Sequence, residues 1–143
     1  MDEKNKIIIY TDDSGLTKID VKLEDETLWL TQAQMCALYQ TSKSNVSEHI
    51  KHIFDEGQEN SVIRKFRTTA ADGKSYLTTY YNLDMIIALG YRVRSIIATR
   101  FRQWATIRLK EYKQRTISDA EHDYLNAIKR LGNINKKESE HED

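Results

Sequence analysis

The apolar positions of the chain first recur at every second residue. Residues 7–10 form one apolar run, and residues 16–23 alternate at Ile19, Val21 and Leu23. Asp13-Ser14-Gly15 separates the two runs, so the pattern predicts a β-hairpin. A second turn, Glu24-Asp25-Glu26, leads to a short strand over residues 27–30. The period then changes to that of a helix. Thr31 to Gln34 has the form of a capping box, and Met35, Leu38 and Tyr39 follow at helical spacing. Ser42 is placed to cap a second helix, with Asn45 at its third position. That helix turns apolar only at Val46, Ile50 and Ile53 and is expected to fray near Asp55-Glu56-Gly57.

Two β-rich runs, 62–69 and 74–81, flank Asp72-Gly73, the pair that most favours a tight hairpin. Asn82 can cap the next helix, with Leu83, Ile86, Ile87 and Leu89 on its apolar face and a stop at Gly90. A longer helix is expected over 95–115, carrying Ile97, Phe101, Trp104, Ala105, Leu109 and Tyr112 on one side. A last helix over 118–131 presents Tyr124, Leu125, Ile128 and Leu131, and the final dozen residues read as a disordered polar tail. The fold class implied is α+β: an N-terminal β-hairpin, a helix-turn-helix with a β-hairpin wing, then two or three C-terminal helices. Residues 1–115 read as one winged-helix-like domain and 116–143 as a helix and tail.

Composition narrows the function classes. Hydrophobic residues make up 39% and charged residues 31% of the 143, which suits a folded domain and excludes a chain that is disordered throughout. The longest apolar runs are too short to span a bilayer, so no membrane is expected and a cytoplasmic location is the simplest reading. The single cysteine, Cys36, excludes an internal disulfide framework. The formal net charge is zero, but its distribution is uneven. Residues 1–30 hold four Lys and Arg against eight Asp and Glu, residues 31–115 hold 14 against seven, and residues 116–143 hold four against seven. A basic middle between acidic flanks fits a local polyanion-binding surface, or a solvated face clustered by chance.

Residues 31–53 follow the helix-turn-helix pattern. Cys36 is the small residue where the second helix crosses the first, and Met35, Tyr39, Val46 and Ile50 supply the buried positions. Three residues depart from the pattern: Gln40 where glycine is frequent, Thr41 where an apolar residue is usual, and His49 where an aliphatic is usual. With Val46, Ile50 and Ile53 turned inward, Ser42, Lys43, Ser44, Ser47, Glu48 and Lys51 face outward. Short hydroxyls at a helix start can approach phosphates and base edges, and Lys43 and Lys51 could contact phosphate or guanine. The plain alternative is the wet side of an ordinary helical hairpin. Arg64, Lys65 and Arg67 on the next strand, with Lys74 after its turn, have the composition of a wing along a DNA backbone. A charged edge strand kept soluble by its cations has the same composition. Arg92, Arg94, Arg100, Arg102, Arg108 and Lys110 interleave with Tyr91, Phe101, Trp104 and Tyr112. Phe101 and Trp104 read as core, and the arginines either snorkel from it or grip phosphates.

The runs "LTQAQMCALYQTSKSNVSEHIKHIF", "NSVIRKFRTTAADGKSYLTTYYNLDMIIALGYRV" and "FRQWATIRLKEY" resemble the N-terminal region of the RhuM family over about residues 5–115. The "FRQWA" block is also similar to the N-terminal domains of phage Bro and antirepressor proteins. The resemblance implies a DNA-binding module of mobile-element or phage type and no defined reaction. Members of the family continue well beyond this region, so the chain is expected to be a short member, a truncated product or a fragment. A Fic-type transferase is not expected, because its His-Pro motif needs a proline and the chain has none.

No catalytic residue, metal or cofactor is expected. His49 and His52, with Glu48 and Asp55, lack a specific further ligand, and no phosphate loop or nucleophile elbow is present. Double-stranded DNA is the expected partner. A homodimer or a partner protein through the C-terminal helix is also expected, and a non-catalytic antirepressor module is the alternative reading.

Overall fold

A computed structural model of the chain describes the backbone of residues 6–141 and the side chains of residues 6–132. The protein is α+β, with five antiparallel strands and four α-helices among these residues. Strands β1 (Lys6–Thr11), β2 (Lys18–Glu24) and β3 (Thr27–Thr31) lead into helices α1 (Gln32–Tyr39) and α2 (Lys43–Asp55). A 3-10 turn, Asn60–Val62, opens strand β4 (Ile63–Thr69), followed by β5 (Ser75–Asn82), α3 (Leu83–Val93) and α4 (Ser95–His141). Contacts divide the chain into two units, Met1–Thr106 and Ile107–Asp143.

The sheet order is β1-β2-β3-β5-β4. Turn chemistry sets its register. Asp25 and Glu26 both take positive φ, 53° and 62°, and join β2 to β3 in a two-residue turn between the paired Glu24 and Thr27. The β4–β5 connection is looser than the tight hairpin expected at Asp72-Gly73. The Ala70 N–H donates to the Lys74 carbonyl at 2.9 Å and the Gly73 N–H to the Ala70 carbonyl at 2.9 Å. The loop is therefore three residues, closed by Gly73 at φ 82°.

The two faces of the sheet differ in chemistry. One carries Ile19, Val21, Leu23, Leu28 and Leu30, all buried, and Tyr10 on this face meets Phe101 and Trp104 of α4 edge-on at 5.1 Å each. Met35, Leu38 and Tyr39 of α1 and Met85, Ile86 and Leu89 of α3 complete this core. The other face carries Trp29, Phe66 and Tyr80 as a ring cluster, with Trp29 and Tyr80 each edge-on to Phe66. Lys22 Nζ stands 4.4 Å from the Phe66 centroid, so a cation covers this second cluster.

Three further expectations from the sequence are corrected. Helix α3 does not stop at Gly90 but runs to Val93. Gly90 is there because Tyr39 occupies the space of its missing side chain: an added Cβ would overlap the Tyr39 hydroxyl and lie 2.6 Å from the Ala98 methyl. The helices expected over 95–115 and 118–131 are one helix, α4, since residues 115–118 contain neither glycine nor proline. Within this helix the Thr116 hydroxyl donates back to the Tyr112 carbonyl at 3.0 Å. The tail expected to be disordered continues α4 as far as His141, and its Lys and Glu are good helix formers.

Substituting Gly90→Ala is expected to destabilise the fold by about 1–3 kcal/mol, the usual cost of overpacking. Urea unfolding checks it, and a variant as stable as the parent would show that the Tyr39–Gly90 contact does not constrain the helices.

Candidate nucleic-acid interface

Helix α2 packs against α1 and α3. Val46, Ile50 and Ile53 form its buried edge, each contributing roughly 1.5–3 kcal/mol on full burial. Both helix starts are capped as their sequences demand. The Thr31 hydroxyl accepts from the Gln34 N–H at 3.1 Å, and the Gln34 side chain accepts from the Thr31 N–H at 2.9 Å. The Ser42 hydroxyl accepts from the Asn45 N–H at 3.2 Å. Between the helices, Gln40 takes the left-handed conformation at φ 53°, and the N–H groups of Gln40 and Thr41 both reach the Cys36 carbonyl. Glutamine thus stands in a backbone position that favours glycine. Cys36 is half-buried, and burial pushes its thiol up from the ordinary value.

The expected contact residues separate into groups. Ser42, Lys43, Ser44, Ser47 and Lys51 are all exposed, but all three serines have hydrogen-bond partners. Ser42 is the cap, with Ser44 Oγ 3.3 Å from its hydroxyl. Ser47 accepts from the Gln32 side-chain amide, which also donates to the Lys43 carbonyl at 3.3 Å. Gln32 thereby braces α1 against α2, a role hidden in the sequence because the partners lie 11 and 15 residues away. Lys43 and Lys51 form no ion pair among the described residues, and Glu48 is exposed on the same helix. His49 is half-buried, and its Nδ1 has no hydrogen-bond partner among the described residues.

On the hairpin, strand register divides the cations. Lys65 pairs across from Thr79 and Arg67 from Leu77, in step with Ile63, Tyr81 and Leu30. Their side chains leave the sheet on the aliphatic face that the helices cover. Arg64 leaves on the opposite face, ion-paired with Asp25 and 5.1 Å above the Trp29 ring. Lys65, Arg67 and Lys74 are exposed and form no ion pair among the described residues.

The arginines after α3 have mixed settings. Arg92 is ion-paired with Glu56 and holds that carboxyl below the usual carboxylate range through their hydrogen bond. Arg100 meets Asp13 at 3.0 Å. Arg94 and Arg102 are exposed. Among the described residues, no group of three or more His, Cys, Asp and Glu could hold a metal ion. No described helix is long and apolar enough to cross a membrane.

These elements define an α+β protein in which a basic hairpin forms the edge of an antiparallel sheet and sends Lys65 and Arg67 to the face that the helices cover. The chain belongs to the virulence protein RhuM family, whose model matches residues 61–133. The matched part holds the hairpin, α3 and most of α4, and begins after α2, a narrower span than the resemblance over 5–115. No curated protein matches the chain, and no solved structure matches it.

Replacing Gln40 by glycine relieves the left-handed strain, which costs an L-residue roughly 1–2 kcal/mol, less the added chain entropy of glycine. A gain of up to about 1 kcal/mol in urea unfolding at unchanged slope is expected. Loss of stability would contradict the turn geometry.

Proposed function

We propose that the unit Met1–Thr106 is a winged-helix-like DNA-binding domain, acting as a transcriptional regulator or mobile-element factor without a catalytic step. In this reading α2 enters the major groove and the β4–β5 hairpin lies along the backbone. The observation that carries it is the shared face: Lys65 and Arg67 project on the side of the sheet that holds the helices, while β5 returns to pair with β3. Helix α2 rests on α1 and α3, and its 13 residues extend about 20 Å, enough to lie in a groove about 12 Å wide. Lys43, Lys51, Lys65, Arg67 and Lys74 act on phosphate, Lys43 and Ser44 stand nearest to base edges, and Ser42 and Ser47 hold the helix. Arg64 serves the outer ring cluster rather than DNA.

A second reading, a non-catalytic protein-interaction module, is favoured by the exposed apolar stripe of α4, on which Tyr124, Leu125, Ile128 and Leu131 are 45–67% exposed.

Fluorescence anisotropy against random duplexes at low and rising salt separates the two. Binding whose log affinity falls linearly with log salt is expected, and no binding at low salt sinks the DNA reading. The double substitution K65A/R67A is expected to weaken all sequences alike and to lower the salt slope by about 2. Ser44→Ala is expected to change sequence preference at unchanged slope, whereas Ser47→Ala acts on stability.

A further inference from the structure

We infer that the unit Ile107–Asp143 pairs with the same helix of a second copy, antiparallel, through residues 117–131. The inference names the partner for the stripe in the interaction reading above and is independent of DNA binding. Ile117, Tyr124, Leu125, Ile128 and Leu131 are 48%, 67%, 55%, 45% and 61% exposed. At about 100° per residue they fall on one stripe, with spacings of three, four and seven that suit a helical partner. A helix with such a stripe is stabilised chiefly by burying it against another element.

Charge decides both the occupant and its direction. Glu121 is the one acid within the stripe by the same periodicity, between Ile117 and Tyr124. A parallel, in-register pair would set Glu121 against Glu121 of the second copy inside the apolar seam, where like charges are costly. Reversing one helix about Leu125 removes that clash. It brings Glu121 of each copy to the height of Lys129 of the other, which borders the stripe on the Leu125 side. The helix is thus complementary to its own reverse, twice per pair by symmetry. The small Ala120 and Ala127 border the other side and allow close approach. The whole stripe lies within the family-matched residues 61–133.

Sedimentation equilibrium of the full chain over a range of concentrations is the test. A monomer–dimer equilibrium is expected, and the double variant L125D/I128D is expected to be monomeric with its near-ultraviolet spectrum retained. Glu121→Lys is expected to weaken dimerisation about tenfold by facing Lys129 of the second copy. The exchange E121K/K129E is expected to restore it. A wild-type chain that stays monomeric overturns the inference, as does a dimer indifferent to L125D/I128D. A dimer that E121K leaves unchanged, or that the exchange does not rescue, overturns the antiparallel arrangement. A monomer that binds DNA leaves the DNA reading standing, and a dimer that does not bind removes the DNA reading alone.

Discussion

The contact between Tyr39 and Gly90 is the constraint on which the helical layer depends. Tyr39 is fully buried, and its hydroxyl donates to the Ile86 carbonyl at 2.6 Å. Burial raises its pKa well above that of an ordinary tyrosine, so the ring stays neutral and the donor is kept. Because Gly90 leaves room for the ring, α1 and α3 approach closely, and the pair forms the platform on which α2 rests. A single hydrogen bond contributes only about 1 kcal/mol. The larger effect is geometric, since α2 rests on α1 and α3 together.

The second organising feature is the division of the sheet into an aliphatic face and a cation-covered aromatic face. Alternation along β4 sends Arg64 one way and Lys65 and Arg67 the other, so neighbouring cations have unrelated roles. Arg64, stacked on Trp29 and held by Asp25, seals the outer cluster where the strained Asp25-Glu26 turn meets the edge strand. A charge count along the strand cannot separate these roles, but the register does.

Local chemistry was legible in the sequence wherever one short segment determines the outcome. The capping box at Thr31, the caps at Ser42 and Asn82, the strands and the buried edge Val46, Ile50 and Ile53 all follow from spacing. Features set by distant partners were hidden. Gly90 looks like a helix stop until Tyr39 is placed against it, 51 residues earlier in the chain. Ser47 looks unpartnered until Gln32 reaches it. Residues 115–118 look like a boundary by polarity alone, yet nothing in them breaks a helix. Of the candidate site, the cations and their exposure were readable, whereas their distribution over two faces required the sheet register.

The hairpin also differs from α2 in its mechanical support. Strand β5 meets β3 at Tyr80, Tyr81 and Asn82 and is held on both sides only at Tyr80 and Tyr81. From Thr79 to the loop, each hairpin strand has a single neighbour. Local opening is therefore graded along the hairpin, costliest at its root and cheapest near Lys74. A stiff helix on a packed platform and a compliant basic ribbon are suited to different tasks. In the DNA-binding reading proposed above, the first fixes registration and the second follows the contour of the backbone.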